Sequence, residues 1–142
     1  MTTWVLAADT THARLFSCDT PKGALQELET LTHPINRLME QEIVSDRNGG
    51  MMNGSGNHSY GEADRKKHEE VERFAKRVNE RLNEGLNKKQ YDKLYILSEP
   101  TFLGVLRRQM NANVRHCVAA EVDKNLTVHP IKDIRGHLPD YL

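Results

Sequence analysis

Cysteine is scarce in this chain of 142 residues: Cys18 and Cys117 are the only two, and they stand far apart without a CxxC arrangement. That excludes a zinc knuckle or a dithiol redox motif built from them, and both are expected as buried thiols. Long apolar runs are missing as well. The longest near the start is Trp4 to Ala8, closed by Asp9, too short for a secretory core and far too short to span a bilayer. No membrane partner is expected, and the cytoplasm is the expected location. Net charge is also absent, with twenty Lys and Arg against twenty Asp and Glu. Any attraction for a polyanion must therefore come from local clustering. The seven histidines follow no ligand spacing, and no Walker-type phosphate loop occurs. Neither a metal site nor a cofactor is expected. Internal repeats and long linkers are lacking, so residues 1–142 read as one domain.

What remains is a sequence of ordinary globular composition, 37% hydrophobic and 28% charged. Trp4–Ala8 reads as a buried strand. Ala13–Asp19 reads as a second, after a turn at Thr10–His12, and Ala24–His33 as a third, placing Leu25, Glu27, Glu29 and Leu31 on one side. Pro34–Val44 allows a short helical turn. From Glu62 the apolar positions Val71, Phe74, Ala75, Val78, Leu82 and Leu86 recur at helical spacing, with Gly85 near the helix end. Pairs Glu69–Arg73 and Glu72–Lys76 are expected along it. A strand at Lys93–Ser98, a helix beginning around Ser98–Pro100, a strand over Val114–Val122 and a short closing helix complete the chain. Three antiparallel strands followed by strand–helix alternation give an α/β fold, a ribonuclease H-like mixed sheet with helices on its faces.

The segment Ser45–Gly61 stands apart. It holds five of the nine glycines and no Val, Ile, Leu or Phe, so burial cannot anchor it, and a flexible loop is expected there. Arg47 stands at one stem and Arg65, Lys66 and Lys67 at the other, while Asn57 and His58 offer directed hydrogen bonds. Along the helix, Lys66, Arg73, Arg77 and Arg81 fall within one quadrant. A basic ridge beside a glycine loop suits a phosphate backbone. Glu62, Asp64, Glu69, Glu70 and Glu72 lie among them, and a solvated helix laced with ion pairs explains the same residues.

The stretches WVLAADTTHARLF, HPINRLMEQEIVSDRNGG, LYILSEPTFLGVLRRQM and VDKNLTVHPIKDIRGHL resemble the bacterial host attachment protein family. That family looks like a relative of the central domain of archaeal and eukaryotic peptide-chain release factors. The resemblance implies a ribonuclease H-like fold and a glycine loop leading into a basic helix. It also implies a ribosome or tRNA partner. Gly49 and Gly50 fall where the paired glycines of the family's Gly-Gly-Gln tip would stand, and Met51 takes the place of the glutamine. A thioether donates no hydrogen bond to water or an ester oxygen, so efficient peptidyl-tRNA hydrolysis is not expected. The expected RNA-binding surface is Arg47, Gly49, Gly50, Asn57, His58, Arg65, Lys66, Lys67, Arg73 and Arg77, with no catalytic residue assigned.

Two alternatives come from other classes. A metal-dependent ribonuclease H-like nuclease needs clustered carboxylates, for which Asp9, Glu69 or Glu70, and Glu99 are candidates. Asp9 equally suits a turn and Glu99 a helix N-terminus. The other alternative is a host-cell adhesion role, which the family's name suggests. A homo-oligomer is compatible with a small single domain, though no residue pattern fixes one.

Overall fold

The computed structural model describes residues 2–33 and 56–142, giving for 56–64 the backbone alone. Arg47, Gly49, Gly50, Met51 and the expected helical turn at Pro34–Val44 lie outside the described residues. The order is β1 (Thr3–Ala8), β2 (His12–Cys18), β3 (Gln26–Thr32), α1 (Gly56–Asn87), β4 (Lys93–Ser98), α2 (Pro100–Gln109), α3 (Ala112–Cys117), β5 (Val118–Asp123) and α4 (Ile131–Gly136). The strands form one sheet in the order β3-β2-β1-β4-β5. β1 pairs antiparallel with β2 and parallel with β4, β2 antiparallel with β3, and β4 parallel with β5. This is the ribonuclease H-like arrangement that the element order predicts.

β1 is apolar at nearly every position because it is central and covered on both faces. Trp4, Leu6 and Ala8 face a core shared with α1, α2 and α3, while Val5 and Ala7 face one shared with α4 and the C-terminal Leu138 and Leu142. Cys18 is buried as expected, but Cys117 is only partly so.

The expected strand parity fails twice, each time at a bulge. Opposite Leu15 and Phe16 the register slips, so Glu29 pairs with Leu15 and Glu27 with Phe16, leaving Leu28 extra. The two glutamates consequently reach opposite faces: Glu27 meets Arg14, and Glu29 meets Arg81 of α1. An inserted residue inverts the alternation beyond it. In the last third, Ala112–Cys117 is helical, not extended. Asn111 caps it through Asn113 N at 2.8 Å, and β5 starts only at Val118. A second slip then pairs Leu94 with Val118 and Tyr95 with Ala120.

α1 positions the candidate site. It starts at Gly56, six residues ahead of the expected Glu62, so Gly56–Gly61 of the expected loop is helical. Its 32 residues extend about 48 Å, whereas the six-residue strands β1 and β4 span only about 20 Å. A short connection returns its C-terminus to β4, so α1 runs antiparallel to β1 and β4 and its head lies beyond their carboxyl ends. Phe74, Ala75, Val78 and Leu82 are fully buried. Every side chain from Arg65 to Glu69 is exposed, and the first buried one is Glu70. The described side chains ahead of Glu70, Arg65 to Glu69, therefore form an exposed overhang of the helix.

Gly85, two residues before the end of α1, is a packing residue. A Cβ there would stand 2.4 and 2.7 Å from two carbons of the Trp4 ring. That ring stacks on Tyr91 at 4.5 Å and carries the Arg81 guanidinium at 5.1 Å.

Candidate nucleic-acid interface

The cationic residues of α1 divide into two groups. Arg65, Lys66 and Lys67 are exposed on the overhang and take part in no hydrogen bond or ion pair among the described residues. Of those nearer the sheet, Arg73, Arg77 and Arg81 are engaged, while Lys76 is exposed without a partner among the described residues. Arg73 pairs with Glu70 at 2.7 Å, one turn back, instead of the expected Glu69. Arg77 donates to the Thr32 carbonyl at 3.1 Å. Arg81 leaves the predicted stripe altogether, because its guanidinium is drawn onto Trp4 and Glu29. The expected Glu72–Lys76 pair is not formed, whereas Glu84 pairs with Lys88, just past the end of α1, at 2.8 Å.

Asn57 and His58 lie on the first turns of α1, their side chains outside the described residues. Below the overhang, Glu69, Glu72, Arg73 and Lys76 of α1 and Gln109 of α2 line an open cleft of about 300 Å³. Its charges are mixed, whereas Arg65–Lys67 have no acidic partner among the described residues. Exposed lysines and arginines without partners keep their full charge for a polyanion and lose no internal contact on binding it.

Of the carboxylates proposed for metal chemistry, Asp9, Glu70 and Glu99 are used otherwise, and Glu69 lies exposed at the edge of the cleft. Asp9 Oδ1 accepts from Thr11 N at 2.8 Å, His12 N at 2.7 Å and Thr11 Oγ1 at 3.0 Å, while Oδ2 lies 2.8 Å from the Thr127 hydroxyl. Burial by itself would push this carboxyl up. Hydrogen bonds from Thr11, Thr127 and His12 outweigh burial and hold it below the usual range. Glu99 caps α2 by accepting from Thr101 N and Phe102 N at 3.1 and 2.6 Å. Glu70 faces Arg73 and the buried His33, whose Nε2 lies 3.4 Å from Glu70 Oε2. Among the described residues no group of three His, Cys, Asp or Glu side chains is placed to hold a metal ion. The two-ion nuclease site is thus not assembled by Asp9, Glu70 and Glu99.

Sequence reading missed what fastens the Asp9 turn. Thr127 reaches it from 118 residues away, and Arg14 donates to the Thr127 and His129 carbonyls at 3.0 and 2.8 Å. Spacing carries no trace of contacts so distant.

A family model described as "Protein required for attachment to host cells" matches residues 4–138. The chain belongs to this family. The match runs from Trp4 in β1 through β5 and includes the whole of α1. No curated protein matches the chain. Among the described residues, no helix of this family member is long and apolar enough to cross a membrane.

Proposed function

We propose that this host attachment family protein is a ribosome- or tRNA-associated factor that docks on RNA through the overhanging head of α1. The observation that carries this reading is the exposed run Arg65, Lys66 and Lys67, unpaired among the described residues, on a helix that outreaches its sheet. The resemblance of the glycine segment and its following helix to the release-factor central domain supports the ribosome as the RNA partner. Met51 in place of the tip glutamine argues for docking without efficient hydrolysis of peptidyl-tRNA.

Co-sedimentation with ribosomes tests it. Association is expected at low salt, falling steeply as salt rises, because each neutralised phosphate releases counterions. Lys66→Glu/Lys67→Glu should abolish it while leaving the fold intact. Absence of association at low salt overturns the reading. The family description favours a second reading, a role in attachment to host cells, acting directly or through bacterial physiology. Surface labelling of intact cells distinguishes the two routes.

A further inference from the structure

At the foot of the overhang, the turn between β1 and β2 contains a directional chain of hydrogen bonds. Thr11 Oγ1 lies 3.0 Å from Asp9 Oδ1 and 2.8 Å from His12 Nδ1. A hydroxyl has one proton to give. Asp9, held below the ordinary carboxylate range, is ionised and can only accept, so the Thr11 proton goes to Asp9. The contact with His12 must then run the other way, from Nδ1–H to Thr11 Oγ1. In its neutral form His12 is therefore the Nδ1–H tautomer, and Nε2 carries a lone pair. The ring is not buried: its side chain is 36% exposed, against 16% for Asp9. The structure thus offers a hydrogen-bond acceptor on a partly exposed ring, with Asp9 Oδ1 4.0 Å from its Nδ1.

Its place suggests what it accepts from. The carboxyl ends of parallel strands in open α/β sheets are where ligands bind. This turn sits at the carboxyl end of β1, beside β4, on the rim from which α1 projects. Thr11 O accepts from His33 N at 3.0 Å, and the His33 ring reaches the Glu70 carbonyl of α1 at 2.9 Å. His12 itself pairs with Thr32, whose carbonyl holds Arg77. Like Arg14 and Phe16, His12 lies on the α4 side of β2, across the rim from the helix head.

We propose that His12 Nε2 accepts a hydrogen bond from a ribose 2′-hydroxyl of the bound strand, making His12 the residue that distinguishes RNA from DNA. The proposal rests on the RNA reading given above and assigns that site its sugar specificity. The 2′-hydroxyl is the donor that RNA has and DNA lacks. Thr11 acts as a positioning residue, because without its hydroxyl the ring is free to take the other tautomer.

The test compares single-stranded RNA and DNA oligonucleotides of one sequence, by anisotropy over a salt series. One neutral hydrogen bond predicts an RNA preference of roughly 2- to 10-fold. His12→Ala should remove that preference with the salt slope unchanged, whereas Lys66→Glu/Lys67→Glu should weaken both strands and reduce the slope. Nitrogen-resolved NMR of the unaltered protein should show the Nδ1–H tautomer, with the His12 Nε2 signal moved by RNA and not by DNA. In Thr11→Val the tautomer should become mixed. Equal affinity for the two strands, or a preference that survives His12→Ala, overturns the proposal and leaves the cationic head standing. Failure to bind either strand at low salt overturns both.

Discussion

Gly85 illustrates how much one hydrogen atom decides. Within a helix interior glycine costs about 0.5–1 kcal/mol relative to alanine, so Gly85→Ala on an open surface would stabilise. Here the added methyl would meet the Trp4 ring at 2.4 Å, and that ring is wedged between Tyr91 and Arg81. Tyr91 is itself tied, its hydroxyl donating to the Leu82 carbonyl at 2.7 Å. Overpacking of this kind costs about 1–3 kcal/mol and exceeds the propensity gain. Gly85→Ala is expected to lower Tm by roughly 2–8 °C in calorimetry, with the near-ultraviolet signal of Trp4 altered. The sequence shows a glycine near a helix end. That it is a slot for a tryptophan eighty residues earlier is visible only once α1 lies on β1.

At the scale of elements, α1 is two helices in energetic terms. From Glu70 to Leu86 it is held by the apolar stripe that helical spacing announces, with Phe74, Ala75, Val78 and Leu82 fully buried. From Arg65 to Glu69 no side chain is buried, and isolated helical turns of that length are marginal in water. Amide hydrogen exchange should therefore be fast over the head and slow from Phe74 onward, and an RNA ligand should slow the head specifically. Uniform protection along α1 without ligand would contradict this division. The strands were legible for similar reasons. β1 and β4 are short apolar runs, as a sheet centre requires. β3 and β5 depart from simple parity because a bulge has no mark in composition, and Val114–Cys117 has the pattern of a strand although a local cap at Asn111 makes it helical.

Across the whole molecule, early and late parts of the chain are fastened by polar groups. Asp9 reaches Thr127, Arg14 reaches the carbonyls of Thr127 and His129, and Arg135 reaches the Gly23 carbonyl at 3.0 Å. Asp9 makes this fastening dependent on pH. Its folded pKa is lowered, so it contributes stability above its unfolded value near 4, and that contribution is lost as pH falls through the folded value. Urea unfolding between pH 7 and pH 3 should show Asp9→Asn less stable than the unaltered protein at pH 7, with the gap closing as pH falls. A gap independent of pH would mean that the carboxylate's charge is not what matters. Both alternative roles of Asp9 and Glu99, turn former and helix cap, were readable from neighbouring residues, because those contacts lie within three positions. The Thr127 anchor, and with it the poised state of His12, was not.

The overhanging turns of α1 have a further consequence for descent. Since Arg65 to Lys67 are exposed and make no hydrogen bond or ion pair among the described residues, their chemistry is decoupled from the scaffold that carries them. A lineage can exchange cations for anions there without loosening the sheet, so choice of partner can drift while architecture stays fixed.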